Sequence, residues 1–164
     1  MIATVRPLTP SDVEAALAIQ ADCYPPAIRD GEAAFASRIE VAPEWCWAVE
    51  NDGRLDAYLL SHPWPSMSPP APDTVLTEVV GDCWYIHDLS VAPHARGRGL
   101  TRRLLAACLE AHPEITRSEL VAVPGAEPVW SRLGWSGVNE IPASLAAKVA
   151  GYGTGSVYMA RDWI

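Results

Sequence analysis

Cysteine is scarce and scattered in this chain: Cys23, Cys46, Cys83 and Cys108 form no CxxC pair. That spacing argues against a zinc ribbon or a disulfide framework, so reduced, mostly buried thiols are expected. HExxH and EF-hand spacings are also missing, and no metal is expected. Basic residues are few, with 12 Lys and Arg against 20 Asp and Glu and a net charge of -8. A nucleic-acid partner normally requires a basic face, so none is expected. No segment approaches the roughly 20 consecutive apolar residues needed to span a bilayer. The opening MIATVRPLTP lacks an apolar run flanked by basic residues, so neither membrane association nor export is expected and the cytoplasm is the expected location. Internal repeats and low-complexity tails are absent.

What is present suits one domain over residues 1–164: 49% of the residues are hydrophobic, enough for a core without disulfide or metal support. Charge is unevenly placed. The first 95 residues hold 14 acids and 4 bases, whereas the remainder holds 8 bases and 6 acids. Arg96, Arg98, Arg102 and Arg103 cluster with no acid among them, giving a small basic site on an acidic body. Such a field suits a compact polyanion and a cationic second substrate.

Ile2 to Arg6 reads as a strand, and Thr9-Pro10-Ser11-Asp12 reads as the cap of a helix with Val13, Ala16, Leu17 and Ala21 on its apolar stripe. The Tyr24-Pro25-Pro26 turn ends it. A short helix after Asp30 carries Phe35 and Ile39 as far as Pro43. Cys46 to Glu50 and Leu55 to Ser61 form a hairpin about Asp52-Gly53. His62 to Asp73 holds five prolines in twelve residues and reads as a stiff loop. Glu119 to Val123 and Trp135 to Glu140 read as strands, Glu127 to Leu133 and Pro142 to Ala150 as helices, and Ser156 to Arg161 as the last strand.

Trp84 to Val91 (WYIHDLSV) is rich in aromatic and β-branched residues, and ARGRGLTRR then opens an amphipathic helix from Leu100 to His112. Its stripe is Leu100, Leu104, Leu105, Cys108 and Ala111. Two arginines in a first helical turn are unfavourable alone, because that end already carries partial positive charge and unpaired N–H groups. An anion belongs there. Gly97 and Gly99 let backbone amides approach a diphosphate closely.

Arg96-Gly97-Arg98-Gly99-Leu100-Thr101 resembles the acetyl-CoA turn of the GCN5-related N-acetyltransferase (GNAT) family, except for Thr101 at its last small position. GAEPVWSRLGW, from Gly125 to Trp135, is similar to the family's second segment. The resemblance implies a single-domain α/β (α+β) fold with a mixed, mostly antiparallel sheet flanked by helices. It also implies direct acetyl transfer from acetyl-CoA to an amine. Leu89, Ser90 and Val91 match the strand that receives the pantetheine arm, and Arg96, Gly97, Arg98, Gly99, Leu100, Thr101 and Arg102 match the phosphate site.

An amine with a pKa of roughly 10 arrives protonated, so a base is needed. Regular alternation puts Tyr85, His87, Leu89 and Val91 on one face, and Trp84, Ile86, Asp88 and Ser90 on the other. The arylalkylamine branch of the family has histidines at positions matching Tyr85 and His87, which makes His87 the candidate base. A satisfied strand histidine is the competing interpretation. Asp88 is the competing base if a bulge rotates the strand. Trp130 stands where the family has its proton-donating tyrosine, so the thiolate leaves unaided or takes a proton from water or Tyr85. Trp130 can also pack beside the thioester. On the acceptor side Tyr24, Pro25 and Trp64 are candidates, for a small primary amine with an apolar or aromatic body. The protein is expected to be a monomer or homodimer. A non-catalytic acyl-CoA-binding module is the alternative.

Overall fold

The computed structural model describes residues 3–163. Ile2, with which the first expected strand begins, lies outside them. The strands are β1 (Thr4–Pro7), β2 (Trp47–Asn51), β3 (Arg54–Trp64), β4 (Cys83–Val91), β5 (Arg117–Ala122), β6 (Ser136–Gly137) and β7 (Val157–Asp162). The helices are α1 (Val13–Cys23), α2 (Glu32–Val41), α3 (Leu100–Ala111), α4 (Glu127–Arg132) and α5 (Ala143–Ala150). One sheet runs in the order β1-β2-β3-β4-β5-β7-β6. Its pairs are antiparallel except β4 with β5. This is the mixed, mostly antiparallel sheet flanked by helices that the chain leads one to expect.

Both faces of the sheet are covered. Phe35 of α2 meets Tyr58 edge-on, with ring centroids 5.2 Å apart, while Cys108 of α3 lies 3.8 Å from the Ser61 hydroxyl on the opposite face. Leu100, Leu104, Leu105 and Cys108 are the buried residues of α3. In α1 the buried residues are Val13, Ala16, Ile19 and Gln20, and Leu17 packs half-buried against the same core; Ile19 and Gln20 join the expected stripe, while Ala21 is exposed. Gln20 is inward because it clasps the following turn: its amide donates to the Asp30 carbonyl (3.0 Å), and Asp30 N–H donates back to its Oε1 (3.1 Å). The Thr9 cap forms as expected, with Thr9 N–H donating to Asp12 Oδ2 at 2.8 Å.

Two elements differ from expectation. β3 runs on through His62, Pro63 and Trp64, which the proline content assigned to a loop. Its pairing with β2 stops at Leu59, so beyond that point it pairs only with β4 and has an open edge where proline's missing N–H costs nothing. The strand expected over Trp135 to Glu140 shortens to Ser136–Gly137, because Trp135 turns inward to pack on Trp84 at 6.4 Å.

The decisive irregularity is in β4. Leu60 pairs with Asp88 but Ser61 pairs with Ile86, leaving His87 as the extra residue of a bulge. Regular alternation therefore fails. Asp88 and Ser90, opposite Leu60 and Tyr58, share the α1/α2 face with Tyr85, opposite His62; Leu89 and Val91 turn to the α3 face. The two-faced assignment by strict alternation is corrected by this bulge.

Candidate active site

β4 and β5 pair only at Trp84–Ser118, Tyr85–Glu119 and Ile86–Leu120, and then separate. Past Ile86 the β5 side of β4 is open. The carbonyls of Leu89 and Val91 face that side, where Tyr24 Oη donates to the first (3.4 Å) and Cys23 Sγ to the second (3.4 Å). In an extended strand the N–H and C=O of one residue point the same way, so the Leu89 and Val91 amides face the opening too.

The opening widens into a cavity of about 1010 Å³. Leu89, Ser90 and Val91 form one wall, and Arg96, Gly97, Gly99, Leu100, Thr101 and Arg102 another. Trp130, Tyr24 and Pro25 line it as well; Arg98 is absent from its lining. Gly97 and Gly99 have φ of 79° and 72°, a left-handed conformation that strains other residues. They deliver the chain to α3 with Gly99 as N-cap, no side-chain cap and no acid in the first turn. The first backbone bond into the helix is Arg103 N–H to the Gly99 carbonyl at 3.2 Å, which leaves the preceding amides for a ligand. Among the described residues, Arg96, Arg98, Arg102 and Arg103 make no ion pair. Free amides and unpaired guanidinium groups together form an anion site.

A chamber of about 60 Å³ adjoins this cavity and shares Tyr24, Ile28, Leu89, Trp130 and Tyr152 with it. Asp30, His87 and Asp88 line it, and Pro72 of the proline-rich segment closes one side. That segment is fastened down: Gly31 N–H donates to Asp73 Oδ1 (2.7 Å), Asp73 N–H to Asp30 Oδ1 (3.2 Å), and Tyr152 Oη to the Pro70 carbonyl (2.6 Å).

His87 Nε2 lies 3.0 Å from Asp30 Oδ2. Burial raises the Asp30 carboxyl pKa, but the His87 hydrogen bond and the His87 and Arg38 charges bring it below the usual value. Asp30 is thus an acceptor only, His87 carries its proton on Nε2, and Nδ1 keeps a free lone pair with no hydrogen-bond partner. Burial, then the Arg38 charge, hold the imidazole below its ordinary pKa against the pull of Asp30. Asp88 differs. Its Oδ2 accepts from Tyr58 (2.5 Å) and its Oδ1 from Ser90 (3.2 Å), yet burial pushes its carboxyl up to about 6.

Three candidates fall outside both cavities: Arg98, Tyr85 and Trp64. Tyr85 is buried beside His62, and Trp64 donates its indole N–H to the Ser68 carbonyl at 2.6 Å. Asp30, Ile28 and Tyr152 enter the site unannounced by the sequence. Trp130 sits in the wall and packs edge-on against Trp135 at 5.2 Å. Among the described residues, no group of three His, Cys, Asp or Glu is placed to hold a metal ion, and no helix is long and apolar enough to cross a membrane.

Cys23 provides a probe of the larger cavity. It is half-buried in the wall, where Arg96 Nη2 donates to its sulfur at 3.5 Å, while Cys46, Cys83 and Cys108 are buried with thiols pushed up to about 12. Iodoacetamide should therefore alkylate Cys23 alone in the folded protein, and saturating coenzyme A should suppress it, as read by peptide mass spectrometry.

A parallel strand pair that splays beside a Gly/Arg turn and an uncapped helix defines an acyl-CoA N-acyltransferase type of α/β protein. The model of the Acetyltransferase (GNAT) family matches residues 13–135, and the chain belongs to that family. Among solved structures, the GphF GNAT-like decarboxylase in complex with isobutyryl-CoA is 18% identical with a TM-score of 0.76, over 97% of this chain and 98% of that one. The loading GNATL domain of CurA from Lyngbya majuscula is 13% identical with a TM-score of 0.79, over 99% and 98%. The ribosomal-protein-S18-alanine N-acetyltransferase from Escherichia coli is 18% identical with a TM-score of 0.64, over 98% and 94%. At these identities the likeness is one of fold. No curated protein matches.

Proposed function

We propose that the protein is an acetyl-CoA-dependent N-acetyltransferase that passes its acetyl group directly to a primary amine on a small molecule. The observation that carries this function is the opening between β4 and β5, flanked by the unpaired arginines and continuous with a chamber holding His87. The amides and guanidinium groups at Arg96 to Arg102 bind the CoA phosphates, and the pantetheine arm lies along Leu89 to Val91. A strand amide there polarises the thioester carbonyl as it becomes an oxyanion. The four unpaired cysteines suit a reducing compartment such as the cytoplasm.

The ammonium substrate gives one proton to His87 Nδ1. Asp30 is a positioning residue that fixes the tautomer and stabilises the imidazolium. The freed nitrogen lone pair attacks the thioester carbon, a C–N bond forms, and the C–S bond breaks with its electron pair on sulfur. The second nitrogen proton, acidic once that bond exists, neutralises the thiolate. A thiol with a pKa of roughly 8.5 departs without a dedicated acid, which accommodates Trp130 at the tyrosine position.

Trp130 favours one other reading, a module that binds acyl-CoA without turnover. Decarboxylation, named for one structural neighbour, is disfavoured because a carboxylated acyl group would face Asp30 and Asp88 in the chamber. Replacing both Arg96 and Arg102 with alanine should raise the acetyl-CoA KM by about tenfold or more while sparing kcat, since each charged hydrogen bond contributes roughly 1.5–3 kcal/mol. Thiol release under varied acetyl-CoA measures both constants. Unchanged KM in this variant would remove the phosphates from the Gly/Arg turn.

A further inference from the structure

We infer that the acceptor is a small aliphatic ammonium ion on an unbranched carbon chain, entering the chamber amine first between Asp30 and Asp88. This inference rests on the acetyltransferase function and names its substrate class.

Charge is the first ground. The chamber is lined by two carboxylates, Asp30 and Asp88, and by no lysine or arginine; the buried Arg38 guanidinium, behind the wall and 3.7 Å from Asp30 Oδ1, offsets one of the two charges and leaves the chamber with an excess of negative charge. Asp30 is held below the usual carboxylate range and stays charged, while the Tyr58 and Ser90 hydroxyls steady Asp88. An acyl methyl group has nothing to gain from two carboxylates and an imidazole, whereas an ammonium group has three hydrogen-bond donors to place on them. The chamber is therefore the amine's end of the site, and the larger, mainly apolar cavity is the acyl-CoA's.

Size is the second ground. A volume of about 60 Å³, at roughly 10–15 Å³ for each water-sized occupant, holds about four to six non-hydrogen atoms. Nitrogen and a short unbranched chain fit. An aromatic ring near the amine, or a quaternary α-carbon, does not fit between Ile28, Pro72, Leu120 and Tyr152. The walls do not easily give way, because Pro70 and Asp73 are both tied down by hydrogen bonds to the body of the fold. The apolar or aromatic acceptor body expected from the sequence narrows to an aliphatic one.

The test compares propylamine, tert-butylamine and phenethylamine, each measured as an acceptor with acetyl-CoA and as a ligand by calorimetry in the presence of CoA. Propylamine should exceed both others by at least about tenfold in kcat/KM and in affinity, the equivalent of about 1.4 kcal/mol. Ile28→Ala, which widens the chamber without touching a carboxylate, should narrow that gap. Acetylation of phenethylamine or tert-butylamine equal to or faster than that of propylamine overturns the inference and leaves the acetyltransferase intact. Propylamine binding with no thiol release from any amine upholds the site and overturns catalysis. Neither binding nor transfer of propylamine overturns the inference.

Discussion

Replacing His87 with glutamine lowers kcat at saturating acetyl-CoA by about 10²–10⁴-fold, the range for removing a positioned general base. Glutamine keeps the polarity and nearly the length of the imidazole but has no basic nitrogen, so the amine must lose its proton to solvent. The pH dependence separates this loss from structural damage. Burial and Arg38 hold the His87 pKa below the ordinary 6.5, so the ring is neutral and competent at neutral pH. Wild-type kcat should fall only as pH drops through that lowered value, below 6.5, and the variant should lack this limb. Asp30→Asn should move the limb further down, because the carboxylate that favours the imidazolium is gone, with an intermediate loss of rate. Steady-state kinetics from pH 5 to 9 reads both. An unchanged profile in His87→Gln would take His87 out of the mechanism.

Replacing Asp88 with asparagine should stabilise the fold and weaken amine binding in the same variant. Burial raises this carboxyl from its ordinary value of 3.8 to about 6. The sign follows from linkage: a raised folded-state pKa contributes stability that is full below the unfolded value and is lost as pH rises through the folded one. Above pH 6 the ionised Asp88 thus costs the wild type about 3 kcal/mol, at 1.36 kcal/mol per pKa unit. Asparagine keeps an oxygen to accept from Tyr58 and removes the buried charge. Part of the gain is lost to weaker hydrogen bonding, leaving about 2 kcal/mol, or roughly 4–8 °C in Tm for a chain of this size. The gain should be present at pH 7.5, shrink as pH falls through 6, and vanish only near pH 3, below the unfolded value, where Asp88 is protonated in both states. The same change should raise the amine KM by about tenfold, as a charged hydrogen-bond partner of the ammonium is lost. Thermal unfolding at the two pH values, beside acceptor kinetics, measures the pair; a loss of stability at pH 7.5 would contradict it.

The anion site is legible in the sequence because its determinants are contiguous. Gly97, Gly99 and four arginines lie within eight residues of one another, and a good strand and a good helix flank them. Periodicity also reveals α3 and most of the sheet. The base's surroundings are not legible for two physical reasons. A bulge adds one residue to a strand whose two faces are both covered, so apolar alternation is too weak to register the slip at His87. Asp30 reaches His87 across 57 positions and Tyr152 reaches Pro70 across 82, contacts that no local pattern encodes. Trp64 misleads because β3 continues beyond its prolines on an open edge and carries the indole away from the cavity.

Direct transfer of an acetyl group from acetyl-CoA to an amine is read most directly from the stoichiometry of free thiol to N-acetylamine when the protein, acetyl-CoA and propylamine are mixed, with thiol followed by absorbance and amide by mass spectrometry. One amide per thiol is expected, at a rate proportional to protein and strongly reduced in His87→Gln. Thiol released without amide, or coenzyme A bound with neither product formed, would contradict it.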